Sequence, residues 1–405
     1  MSKVIDRFFN YISINTEADG DKDSVPSSEG QWQLARMLKS ELESMGAEGV
    51  RLDEEHCIVY AEIPANTDQK YALGFISHMD TAPGLSGDAS KARIIADYDG
   101  SIIHLNEKKQ LSPDEYPELL NYIGEDIIIT DGESLLGADD KAGISEIMTM
   151  AEILLHDPSI KHGKICLAFT PDEEIGEGIE YFDIEKFGAD YAYTVDGGAI
   201  GEVEYENFNG GSADVVITGK NIHPGSAKGV MVSALRIAME FDNMIPHDQR
   251  PENTEGYEGF YFLMDMEGNT DKAEMGYIIR EHDSVKYEEK KALLYKAADF
   301  LNLKYNGAVE IEIRDSYKNM KEKIEPFMFL IDNAKLAFDS CGITPKVVPI
   351  RGGTDGAELS YRGLPCPNLS TGGHNFHSEM EFIPVQSMEK MVDVLLEIAK
   401  MTACN

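Results

Sequence analysis

Three short apolar runs set the terms on which this chain can fold: YALGFIS at 71–77, KICLAFT at 164–170 and YAYTV at 191–195. Each has the length of a strand, and helical segments such as 141–156 lie between them. Apolar strands without polar alternation are buried on both faces, and strands alternating with helices build an open, largely parallel α/β sheet with helices on both faces. In that architecture ligands gather at the carboxyl ends of the strands. Each run here leads into His or acidic residues: His78 and Asp80, then Glu173 and Glu174, then Asp196.

With 405 residues, 42% of them hydrophobic, the chain has material for more than one core. The pattern changes near residue 208. SADVVITG (212–219), a helical MVSALRIAMEF (231–241), GFYFLMDM (259–266), EMGYIIRE (274–281), a helix near 285–302 and VEIEIRD (309–315) read as β-α-β-β-α-β, the split unit of a ferredoxin-like α+β sandwich. A helix near 325–341, KVVPI (346–350), the loop RGGTDG (351–356), CPNLST (366–371) and a helix near 385–402 then resume the first pattern. We expect one domain built from 1–207 and 319–405, interrupted by an inserted domain over 208–318. Ser28 followed by Gln31 has the form of a capping box, and Ala35, Leu38, Leu42 and Met45 place a helix over about 29–46.

A net charge of -37 argues against a nucleic-acid partner, because neutralising phosphates takes clustered Lys and Arg. It suits a self-repelling surface and, more pointedly, an acidic cleft that draws cations. Cys57, Cys166, Cys341, Cys366 and Cys404 are odd in number and widely spaced, without a CxxC pair; neither a disulfide framework nor a cysteine zinc site is expected, and a reducing cytoplasm fits. At the N-terminus Val4, Ile5, Phe8, Phe9 and Ile12 are helically spaced, with Asp6 and Arg7 interrupting them, so neither a signal peptide nor a membrane span is expected.

The chemistry lies in SHMD (77–80), GADDKAG (137–143), TPDEE (170–174), TVDGG (194–198) and GHNFHSEMEF (373–382). Singly, each has a plainer reading as a strand end, a helix cap, a solvated acid pair or a turn. Together, five strand-end segments offering His and carboxylates point to a metal centre, and two His with three or more carboxylates favour zinc, cobalt or manganese over calcium or magnesium. His78 and Asp80, two apart on a strand end, share a face, so one can orient the other. Glu173 and Glu174 point in different directions, Gly197 and Gly198 would let the backbone approach a ligand closely, and Glu381 is a candidate partner for His377.

SHMDTAP, LLGADDKAG, AFTPDEE, YTVDGG, NIHPGSAKG, TEGYEGFY, YIIRE, RGGTDGAELS, GLPCPNL and TGGHNFHSEMEF, in this order, resemble the peptidase T family, the tripeptide aminopeptidases of the di-zinc clan that includes aminoacylase and carboxypeptidase G relatives. The likeness runs from about residue 5 to residue 400. It implies a zinc-peptidase fold with an inserted lid domain and two zinc ions per subunit, with cobalt or manganese as substitutes. One ion would be held by His78, Asp139 and Asp196 and the other by Asp139, Glu174 and His377, with Asp139 bridging and Asp140 following a cis peptide bond. By the same resemblance Asp80 orients His78, Glu173 is the general base, His223 in NIHPG stabilises the oxyanion, and Arg280 in YIIRE grips the substrate carboxylate. Ser378 stands where relatives carry Gly, and His374 where an aromatic is common. The implied partner is a tripeptide, with neither nucleic acid nor membrane, and a homodimer is compatible with it. The clan also contains dipeptidases and N-acyl-amino-acid deacylases with the same ligands; YIIRE and RGGTDG lean towards the tripeptidases. A non-catalytic peptide-binding homologue is the reading from another class.

Overall fold

The computed structural model describes residues 2–403, which fall into two compact units: 2–205 with 323–347 and 354–403, and 206–322 with 348–353. Cys404 lies outside the described residues. The other four cysteines are free thiols, and no described helix is long and apolar enough to cross a membrane.

The first unit is organised by an eight-stranded sheet in the order Glu48–Leu52, Val59–Ile63, Lys164–Thr170, Ala72–His78, Tyr191–Gly197, Asn368–Ser370, Glu202–Glu204, Lys346–Val347. The centre, from Lys164–Thr170 to Asn368–Ser370, is parallel, and antiparallel neighbours flank it on both sides. Every residue of Ala72–His78 is buried, which is why that run carries no polar alternation. On one face Phe182 and Phe187 pack with Ile76, Cys166 and Ala192. Gly74 makes this possible, since a Cβ there would stand 2.5 Å from the Phe187 ring. On the other face lies the helix Ala138–His156, so close that a Cβ on Gly143 would stand 2.0 Å from the Val195 carbonyl.

Ala72–His78 precedes both of its neighbours in the chain, with Lys164–Thr170 on one side and Tyr191–Gly197 on the other. Connections that diverge from one strand open a crevice beyond its carboxyl end. His78 is the last residue of that strand.

The helix expected near 29–46 runs Glu29–Met45 and stops at Gly46, in the left-handed region at φ 87°. Ser28 does not cap it; its hydroxyl instead accepts the Gln31 side-chain amide at 3.2 Å. KVVPI yields only the two-residue strand Lys346–Val347, because residues 348–353 belong to the other unit.

The second unit is an antiparallel sheet in the order Phe260–Gly268, Lys272–Glu281, Asn209–Thr218, Val309–Tyr317, packed against the helices Ala234–Asn243 and Ser284–Tyr305. Element and strand order are those of a ferredoxin-like sandwich. Val215, Ile217, Tyr277 and Ile279 form its core with Phe241, Leu294 and Leu301. Alternate residues such as Arg280 therefore lie on the face away from the helices.

Candidate metal centre

His78 and Asp80 share a face as their spacing requires, with Nδ1 of His78 3.1 Å from Oδ1 of Asp80. Asp80 is fully buried and also accepts the backbone N–H groups of Glu173 and Glu174, each at 3.1 Å. One carboxylate thus fixes both the imidazole and the turn that follows the neighbouring strand.

The segment 137–141 turns sharply before its regular helix begins. Gly137 is left-handed at φ 76°, Asp139 and Asp140 have non-helical dihedrals, and the peptide bond between them is cis. Glu381 holds this turn from the C-terminal segment, accepting the N–H groups of Leu136 at 2.7 Å, Gly137 at 2.9 Å and Asp139 at 3.2 Å. Asp140 is fully buried, where it accepts the Ser77 hydroxyl and the His78 N–H. The two adjacent acids therefore part: Asp140 faces the sheet, and Asp139 faces the imidazoles.

His78, Asp139, Glu174, Asp196 and His377 come together. Oδ1 of Asp139 is 2.9 Å from Nε2 of His78, and its Oδ2 is 3.1 Å from Nε2 of His377. Asp196 approaches His78 at 3.4 Å, and Glu174 approaches His377 at 2.9 Å. Ligand atoms of His78, Asp139 and Glu174 lie within 4.8 Å of one another, as do those of His78, Glu173 and Asp196. Glu173 thus reaches the same donor cluster.

Burial works against a charge on His78, yet Asp196, Asp80 and Asp139 hold its pKa well above the ordinary value. His377 is raised to about 11 by its hydrogen bonds to Asp139 and Glu174. Burial pushes Asp196 up to about 6 and Glu174 to about 7, the latter with help from Asp139. Asp139 is lowered: its hydrogen bonds to His377 and His78 outweigh burial. One oxygen of Glu174, Oε1, is buried without a hydrogen-bond partner among the described residues. Buried carboxylates in excess over two imidazoles, one with an orphaned oxygen, suit cations, and this nitrogen and oxygen donor set suits zinc and its neighbours.

Three features were not evident from the motifs. Asp172, left-handed at φ 54°, accepts the Ser27 N–H at 2.7 Å, the Ser27 hydroxyl at 2.6 Å and the Gln31 amide at 2.6 Å, locking the turn that carries Glu173 and Glu174. Asp355, the acid of RGGTDG, is buried near the cluster, accepts the Thr170 hydroxyl at 3.0 Å and is pushed by burial up to about 8. Glu381 serves the turn at 136–139 rather than His377, for which the spacing had offered it. The first two gave no signal in the sequence, because their partners lie 141 to 185 residues away.

Gly197 also differs from expectation: a Cβ there would stand 3.0 Å from the Leu369 carbonyl, so it admits a neighbouring strand rather than a ligand. His374 points away from the cluster. It stacks on Phe382, bonds the Tyr122 hydroxyl at 2.6 Å, and is lowered to about 4 by burial.

His223 and Arg280 belong to the second unit. Nδ1 of His223 accepts the Gly225 N–H at 3.1 Å, which leaves the ring proton on Nε2. Arg280 is half-buried; its Nη1 donates to the Ile279 and Gly211 carbonyls at 2.9 and 3.2 Å, and no carboxylate pairs with it among the described residues.

The family described as the peptidase dimerisation domain matches residues 205–306. The chain is 50% identical over 407 residues to peptidase T of Alkaliphilus oremlandii, covering 99% of each. Among solved structures, the aminopeptidase PepT of Bacillus cereus is similar over 99% of this chain and 98% of its own, at 23% identity and a TM-score of 0.78. A Bacillus subtilis protein described as a dinuclear metal binding peptidase of the M20 family is similar over 99% and 97%, at 13% identity and a TM-score of 0.66. At those identities the two structures speak to the fold.

Proposed function

Because the chain belongs to the peptidase T family, we propose that it is a metallo-aminopeptidase that removes the N-terminal residue from tripeptides at a two-zinc centre. The observation that carries this reading is the Asp139 carboxylate, which presents one oxygen to His78 at 2.9 Å and the other to His377 at 3.1 Å. Each imidazole has a further carboxylate, Asp196 or Glu174, so two three-residue donor sets share Asp139. In this reading His78, Asp139 and Asp196 hold one ion and Asp139, Glu174 and His377 the other. Two bound divalent ions would polarise the scissile carbonyl and lower the pKa of a water.

The remaining steps belong to side chains. Glu173 takes the proton of the attacking water and returns it to the leaving amine. Asp80 acts at one remove, orienting His78 through Nδ1 and Glu173 through its backbone N–H. His223, with its proton on Nε2, is the tautomer that can donate to a developing oxyanion. Arg280, half-buried and with no carboxylate partner among the described residues, is suited to the carboxylate of the substrate. A homodimer, in keeping with the dimerisation-domain match, and a reducing cytoplasmic setting, in keeping with four free thiols, complete the proposal.

The test compares one sequence presented as a di-, tri- and tetrapeptide with an N-acetylated tripeptide. We expect the zinc-loaded protein to cleave the free-amine tripeptide in clear preference to the others. Preference for the acetylated peptide would replace this reading with a deacylase, and preference for the dipeptide with a dipeptidase.

A further inference from the structure

Arg280 does not stand alone on its sheet. It is paired in register with Gly210 on the adjacent strand, and Gly210 is paired in turn with Tyr317 on the next, so the three form one row across the face away from the helices. Side chains separated by two strand spacings start about 10 Å apart at the backbone. Here the Arg280 guanidinium nevertheless lies over the Tyr317 ring, 5.0 Å from its centroid.

Two local features bring them together. The first is the residue between them. A Cβ on Gly210 would stand 2.5 Å from Cζ of Tyr317, and one on Gly353 would stand 3.0 Å from its Cε1, so the glycines of the NGGS and RGGT segments vacate the space that the ring occupies. The second is a break in register. Val309, Ile311 and Ile313 pack into the helix-side core, and Asp315 bonds Tyr287 and Lys291 of the helix Ser284–Tyr305; strict alternation would send Tyr317 to that side too. The register shifts instead: Gly211 pairs with Asp315 while Gly210 pairs with Tyr317. The extra residue, Ser316, turns Tyr317 to the face of Arg280, and re-aiming a side chain is a recurrent use of such bulges.

We propose that Tyr317 is the positioning residue for Arg280, an aromatic shelf, admitted by Gly210 and Gly353 and delivered by the bulge at Ser316, that holds the guanidinium ready for the carboxylate of a tripeptide. Nη1 is already bonded to the Ile279 and Gly211 carbonyls; with one side of the guanidinium fixed in this way and its central carbon lying over the ring, the other edge is the part left to meet the substrate. The inference rests on the reading of Arg280 as the carboxylate anchor.

The experiment measures, in the zinc-loaded full chain, the affinity of a tripeptide with a reduced scissile bond as its free acid and as its C-terminal amide. Arg280→Ala should abolish most of the preference for the acid; if it leaves that preference intact, the anchor reading itself fails. With that control in place, Tyr317→Leu should lower the acid-to-amide affinity ratio about tenfold, the scale of a partly desolvated cation–π contact, and Tyr317→Phe should restore it. Gly210→Ala keeps both side chains but displaces the ring, so it should reproduce the Leu effect even if Tyr317→Leu folds poorly. An unchanged ratio in Tyr317→Leu and Gly210→Ala, or equal losses on acid and amide, overturns the shelf while leaving Arg280 as the anchor.

Discussion

At Asp139 and Asp140, neighbouring acids are given opposite environments by what surrounds them. Asp140 is held by the Ser77 hydroxyl and the His78 N–H, and Asp139 is left to span two imidazoles. Glu173 and Glu174 divide in a comparable way, since both backbone amides end on Asp80 while the Glu174 carboxylate goes to His377. Glu173 is held well above the ordinary carboxyl range by burial and by Asp196, an environment that suits a group required to accept and release a proton. Replacing it by Gln preserves size and hydrogen bonding but removes the proton acceptor. Glu173→Gln should therefore keep its metal content and lose at least about a hundredfold in turnover. A metal-replete variant with unchanged turnover would take Glu173 out of the proposed mechanism.

Among the elements, the turn at 136–139 depends on one distant carboxylate. Glu381 gathers three of its N–H groups and joins the segment before the helix Ala138–His156 to the C-terminal GHNFHSEMEF segment, which also carries His377. Removing the side chain leaves three amides without their acceptor and frees Asp139 to turn. A side chain that holds a metal-binding residue in place typically contributes ten- to hundredfold to metal affinity. Glu381→Ala should weaken zinc binding by about that factor in a competition titration with a chelator, and an affinity equal to that of the unmutated protein would assign Glu381 to the fold alone.

For the molecule as a whole, the concentration of buried acids makes stability depend on pH and metal together. Asp196 at about 6, Glu174 at about 7 and Glu381 at about 7 all bind their protons more tightly folded than unfolded, because burial disfavours the anion. Their contribution is complete below the unfolded carboxyl range and is lost as pH rises through those values. His78 and His377 tend the same way, and Lys141, pulled down to about 7 by burial, opposes them only near and above that value. The metal-free protein should melt at progressively lower temperature as pH rises from about 5 to about 7, and saturating zinc should flatten or reverse the trend. Calorimetry across that range checks it; a metal-free melting temperature that rises with pH contradicts the account. The sheet centre and the ferredoxin-like unit could be read along the chain because apolar runs and their periods are local properties, as with YALGFIS and EMGYIIRE. Local order also gathered the acids and imidazoles at strand ends. It could not reveal that Asp172 would lock onto Ser27 and Gln31, that Glu381 would serve the turn at 136–139, or that Ser316 would turn Tyr317 towards Arg280. Those are pairings between distant segments or between strands; no residue carries a mark of its future partner, and only the packed chain brings the partners within reach.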